Sequence, residues 1–309
     1  MEEYLIPPIN GLKKRNLRYK EIEWLIKRIT DAEHKVPDET RLKKAIEKAG
    51  RMFTVLSVMA LVKGGTFQMG KGPGELDEGF RPVHTVNLTY EYWIGKYHVT
   101  FNEYKTYCED TGKGDLPIYR DYEDYDLGNG NKPVIEVTWH EAIAYCNWLS
   151  EKEGLFKAYD SKGNLLDKKG KPTTDITQVE GYRLPTEAEW KYVEMGGHKS
   201  TSDYKDTSNN SIDAVAWYDD NSNSKTQKEG QNASNKLGVY YMNVRKVLEW
   251  CHDWYGSYSG NTQINPIGPN SASERVLNGG SWHIKATNYS VFDFRTSISF
   301  RLARTREGV

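Results

Sequence analysis

Tyr182-Arg183-Leu184-Pro185-Thr186-Glu187-Ala188-Glu189-Trp190 carries the densest local signal in the chain. Thr186 followed three residues later by Glu189 is a capping box: the hydroxyl accepts from the N3 amide while the carboxylate returns to the cap's own amide. A helix therefore opens at Glu187, and Gly196-Gly197 ends it early. Working outward, Thr138 and Glu141 repeat the box ahead of a helix running to Gly154, with Ala142, Tyr145, Cys146 and Leu149 on its inward stripe. Thr100 precedes a helix over 101–111 that Gly112 closes. Residues 62–70 alternate as a hairpin around Gly64-Gly65, residues 84–88 alternate as a strand, and the apolar run 52–62 reads as a buried strand. Before it, Ile22, Leu25, Ile26 and Ile29, then Leu42, Ala45, Ile46 and Ala49 behind Asp38, predict two helices. The chain thus divides into a helical N-terminal extension, 1–51, and a main domain, 52–309. The polar stretches 160–180 and 200–235 read as surface loops.

Composition narrows the function. The 309 residues include 42 Lys+Arg against 43 Asp+Glu, a formal net charge of −1, which offers no one-sign field to nucleic acid or an anionic membrane. Only 37% of residues are hydrophobic, yet there are 21 Tyr and 9 Trp, which predicts an aromatic core inside a loop-rich surface. Cys108, Cys146 and Cys251 are too few and too scattered for a disulfide framework or a CxxC site, and are expected to be buried. No signal peptide and no run long enough to span a membrane is legible.

Taken in order, several segments resemble one family, that of the formylglycine-generating enzymes and sulfatase-modifying factors, a variant of the C-type lectin fold. They are Val62 to Gly70, Val99-Thr100-Phe101-Asn102-Glu103-Tyr104, Ala144-Tyr145-Cys146-Asn147-Trp148-Leu149-Ser150, the opening nonapeptide, Glu249-Trp250-Cys251-His252-Asp253-Trp254-Tyr255, Gly279-Gly280-Ser281-Trp282 and Phe300-Arg301-Leu302-Ala303-Arg304. The resemblance implies an α+β, C-type lectin-like fold, irregular and loop-rich, behind the short helical extension. It also implies copper in the enzymes, held by two cysteines shortly after the Gly-Gly-Ser-Trp motif. Here residues 283–294 contain no cysteine. The iron-dependent sulfoxide synthases of the family use histidines in an N-terminal domain, whereas His34 is the sole histidine before residue 84. No catalytic residue, metal site or cofactor is therefore expected. Cys251, His252 and Asp253 do not read as a nucleophilic set, because strand neighbours point to opposite faces. Tyr241 and two cations replace the usual calcium-binding pattern of the family in 241–247, so calcium is not expected there either.

The same fold serves non-enzymatic ligand-binding proteins that retroelements diversify by mutating adenines in a C-terminal segment. Such a protein is resembled here by the atypical stretch between the Gly-Gly-Ser-Trp and Phe-Arg-Leu-Ala-Arg motifs. Every residue in 286–300 belongs to the set that an asparagine codon reaches through adenine replacement; Lys285 does not. Within it His283, Ile284, Tyr289, Asp293, Phe294, Thr296, Ser297, Ile298 and Ser299 are expected at an exposed, paratope-like surface, with Val291 and Phe292 turned inward. Near-zero net charge and a solvated N-terminal extension give no reason to expect more than a monomer, and the resemblance implies display on the outer surface of the cell by a lipid anchor lying outside these residues. The expected partner is a protein or glycan ligand, with no nucleic acid. The alternative is a metal oxidoreductase of the formylglycine-generating or sulfoxide-synthase type with atypical ligands.

Overall fold

In the computed structural model the chain divides into two units, Met1–Ser57 and Val58–Val309. The structure describes residues 58–70, 82–113, 130–199, 234–240, 247–279 and 298–306. Both helices expected in the N-terminal extension lie outside them.

Nine short strands, three α-helices and two single-turn 3-10 helices (Ile176–Gln178 and Gly197–Lys199) make up the second unit's described secondary structure. The strands are β1 (Met59–Val62), β2 (Gly65–Met69), β3 (His84–Leu88), β4 (Tyr92–Gly95), β5 (Leu248–Trp254), β6 (Gln263–Ile264), β7 (Arg275–Gly279), β8 (Ile298–Ser299) and β9 (Ala303–Thr305). They form three separate sheets, ordered β1-β4-β9, β2-β3-β6 and β7-β5-β8. The helices are α1 (Phe101–Thr111), α2 (Trp139–Lys152) and α3 (Glu187–Glu194). Each starts at a threonine N-cap with a complete capping box, and Gly112 ends α1 in the left-handed region at φ 65°. Along with small sheets and long connections, this is the α+β, loop-rich architecture expected.

Two sequence expectations are corrected. Residues 62–70 form no hairpin: β1 pairs with β4, and β2 pairs with β3, so the chain changes sheets at Gly64-Gly65. The glycines are there for close approach and not for a turn. A Cβ on Gly64 would lie 2.2 Å from the Leu88 carbonyl oxygen, and one on Gly65 would lie 2.2 Å from the Tyr192 hydroxyl. Nor is 160–180 merely a surface loop, since Leu165, Ile176 and Val179 are buried. Asp160 accepts from the Lys162 and Asn164 amides, and Asp167 from those of Lys169 and Lys171. These two Asx turns fold a polar stretch onto itself and leave its few apolar side chains free to reach the core.

The core is aromatic, as the composition predicts. One part gathers α1 and α2, where Tyr104, Tyr107, Tyr145 and Phe300 meet edge-on or stacked at centroid distances of 5.3–6.4 Å. The other packs Val62, Val86, Leu88, Tyr92 and Ile94 against Trp190 and Val193 of α3. All three cysteines are free and buried.

Candidate functional site

Gly279, the last residue of β7, pairs with Leu248 on one side of β5; Ile298, the first of β8, pairs with the same Leu248 on the other. At strand spacings of ~4.8 Å, Gly279, ahead of the expected ligand segment, and Ile298, near its end, are thus brought to within about 10 Å of each other. Gly279 makes the exit from β7 at φ 91°, a conformation L side chains rarely adopt.

Beneath this base lies a buried ionic cage. Glu249 of β5, register partner of Ser299, accepts from Arg301 Nε at 2.6 Å and from its NH2 group at 2.7 Å. His98 Nε2 lies 2.9 Å from Oε1, and Trp190 Nε1 donates to Oε2 at 3.0 Å. The guanidinium also donates to the carbonyls of Gly95 and Tyr240, tying β4 and the 234–240 stretch to the same point. Burial alone would push the Glu249 carboxyl up; the Arg301 and His98 charges overcome it and hold it well below the usual carboxylate range. Phe300, fully buried among the tyrosines of α1 and α2, seals the chain between Ser299 and Arg301.

Ile298 and Ser299 were expected at an exposed surface; at 7% and 0% exposure they are instead part of the base. The physical reason is their pairing with β5, which turns Ser299 toward the buried side of the sheet with its hydroxyl left without a hydrogen-bond partner. The other expected ligand contacts, His283, Ile284, Tyr289, Asp293, Phe294, Thr296 and Ser297, lie outside the described residues, as do Val291 and Phe292. Residues 241–246, the stretch weighed for calcium, lie outside them too. The cage was not foreseen as a unit. Its sequence signal was a glutamate and an arginine set among apolar motif residues, Leu248-Glu249-Trp250 and Phe300-Arg301-Leu302.

Cys251, His252 and Asp253 do not assemble a nucleophile. Cys251 is fully buried, burial and the nearby carboxyls of Asp253 and Glu187 push its thiol up, and its sulfur accepts from Asn278 Nδ2 at 3.3 Å. His252 is lowered to about 3 by burial and by the Arg275 and Arg183 cations. Burial likewise raises the Cys108 and Cys146 thiols. Among the described residues no group of three or more His, Cys, Asp or Glu is placed to hold a metal ion. The residues of this chain do not fit the family's copper centre: 283–294 has no cysteine, and the three thiols present are enclosed and pushed up by burial.

The sulfatase-modifying factor enzyme 1-like domain matches residues 45–306. The chain belongs to that family. Chaperone protein LppX of Paenibacillus barcinonensis is 31% identical over 255 residues, 74% of this chain and 80% of that protein. The formylglycine-generating enzyme of Thermomonospora curvata is 27% identical over 257 residues, 72% of this chain and 82% of the enzyme. Among solved structures, Treponema denticola variable protein 1 superposes with a TM-score of 0.60 at 29% identity, covering 80% of this chain and 95% of that one. The family fold is therefore shared by enzymes and by a variable protein.

Proposed function

We propose that this chain is a monomeric ligand-binding protein displayed at the cell surface, with recognition carried by residues 283–297 and diversified by a retroelement. The observation that carries the reading is the base itself. Gly279 and Ile298 flank one residue of β5, and the Glu249–Arg301 cage fixes that base from below through contacts that use none of residues 283–297. A diversified receptor requires such a separation of scaffold from contact surface. The likeness to the Treponema variable protein supports it.

The enzymatic reading rests on the likeness to formylglycine-generating enzymes. Against it stands the missing cysteine pair in 283–294, where a soft metal would need thiolates. The discriminating experiment pairs metal analysis of the purified chain with a thiol-oxidation assay, and sets beside it a comparison of genomic copies of the gene. The binding reading expects no stoichiometric copper or iron with turnover, and substitutions concentrated at adenine-containing codons of 283–297. Turnover with bound metal, or substitutions no denser there than in 99–104, would overturn it.

A further inference from the structure

The two ends of β7 carry different chemistry. Gly279 leads toward the expected ligand segment, whereas Arg275, the first residue of the strand, stands at the opposite end beside Trp254, its register partner on β5. The Arg275 guanidinium is held between two indoles, its Cζ 3.6 Å from the ring centre of Trp139 and 3.4 Å from that of Trp254. Trp139 is itself fixed: it is buried at the start of α2 and donates from Nε1 to the Cys251 carbonyl at 2.9 Å. A Cβ on Gly163, which sits at φ 83°, would lie 2.7 Å from the Trp139 ring and 3.6 Å from Arg275 Nη2, so glycine there leaves that nitrogen uncovered from the side of the Asp160 turn.

Stacking on both faces sets the plane of the guanidinium and leaves only its edge for hydrogen bonds. Of that edge Nη1 alone is used, donating to the His252 carbonyl at 2.6 Å. Nε is buried without a hydrogen-bond partner, and among the described residues Nη2 makes no hydrogen bond and Arg275 no ion pair. The fully buried arginines differ: Arg183 pairs with Glu189 and Arg301 with Glu249. The carboxyl that acts on Arg275 is that of Asp253, whose Oδ2 takes the Glu187 amide at 2.9 Å. Burial, opposed by Tyr159 and Asp253, lowers the guanidinium to about 10, so it remains a cation at neutral pH. A second buried polar atom without a partner belongs to the same cluster: His252 Nδ1, in a residue 6% exposed whose ring packs 6.5 Å from that of Trp139 and 5.7 Å from that of Tyr159. Buried donors are ordinarily paired, and a charged one left unpaired is the most costly.

We propose that Arg275 is a binding site for a carboxylate, with Nε–H and Nη2–H as the donating fork and the two indoles as its clamp. Two parallel N–H donors match the two oxygens of a planar carboxylate. A single cation with the Asp253 carboxyl close by favours a monoanion over a dianion such as sulfate. The site is independent of the ligand segment, which leaves from the other end of β7.

The test is titration of the full chain with sodium acetate, at constant ionic strength in chloride and followed by tryptophan fluorescence, for wild type, Arg275→Lys and Arg275→Gln. Wild type is expected to saturate at millimolar acetate and to bind sulfate at least ~5-fold more weakly. Arg275→Lys, which keeps the charge without the fork, is expected to lose about tenfold, and Arg275→Gln all measurable binding. The peptide acetyl-Gly-Glu-Gly-amide, with its Gln counterpart as control, separates the sources: tighter binding than acetate assigns the carboxylate to a protein side chain, weaker binding to a free small acid. Sulfate tighter than acetate, or an acetate response that never saturates or that survives in Arg275→Gln, overturns the proposal. Should the variants not fold, proton–nitrogen NMR of wild type decides: the Arg275 Nε–H signal, displaced by the ring currents of two indoles, must move saturably with acetate, and a stationary signal overturns the site.

Discussion

At the scale of single residues, Glu249 has the largest predicted effect, because three donors from three parts of the chain converge on one carboxylate. Glu249→Ala leaves the Arg301 guanidinium buried without its counter-charge, for which about 3–5 kcal/mol of stability is expected to be lost. Glu249→Gln, which keeps an acceptor oxygen, is expected to lose less; urea midpoints of the two variants check the order, and equal midpoints would show that the retained acceptor contributes nothing. The same group sets an acid limit. Its folded carboxyl is depressed, so its contribution is present above the ordinary carboxylate range and fades as pH falls below it, an acid loss of stability that Glu249→Gln should lessen. Glu249 and Arg301 were visible in the sequence as motif residues. Their partnership was not, since 52 positions separate them and no local period links them.

Elements were more legible where capping chemistry is local. Both capping boxes formed as read, and Thr100 with Glu103 forms a third, because cap and N3 residue are three positions apart and need nothing else from the fold. Thr186→Ala is expected to cost more than the ~1 kcal/mol of an ordinary cap. Glu189, which completes that box, also pairs with Arg183 at 2.7 Å through both oxygens, so loosening the cap loosens a fully buried ion pair. Thermal unfolding of Thr186→Ala beside Thr138→Ala, whose box partner Glu141 faces the half-exposed Lys113, checks it: the first should melt lower. Strand pairing was less legible. Alternation over 62–70 identified extended chain but could not say that β1 and β2 belong to different sheets. Gly64→Ala separates the two readings, as a turn glycine at ordinary φ would tolerate alanine. Here the added methyl meets the Leu88 and Tyr90 carbonyls at 2.2 and 2.8 Å, so a loss of about 2 kcal/mol or more is expected in denaturant unfolding.

For the molecule as a whole, the decisive feature is that the described residues flanking the segment expected to vary, Gly279 and Ile298, pair with the same residue of β5. Exchanging the residues at 283, 284, 289, 293, 294, 296 and 297 for others reachable from an asparagine codon is expected to move stability by no more than about 0.5 kcal/mol each, as for surface positions elsewhere. Ile298→Asp, paired with Leu248 next to the cage residue Glu249, is expected to unfold the base, since it places a charge in a site only 7% exposed. A midpoint insensitive to Ile298→Asp would return that position to the contact surface. By itself the sequence determined the three described helices, the aromatic core, the buried cysteines and the family, all of which rest on short-range chemistry or on an ordered set of motifs. Only the tertiary structure decided that Ile298 and Ser299 are buried, that 160–180 joins the core, and which charges are paired. Those depend on which strands meet across long stretches of chain, and burial, unlike a helix cap, is a property of the neighbours that arrive and not of the residue that is buried.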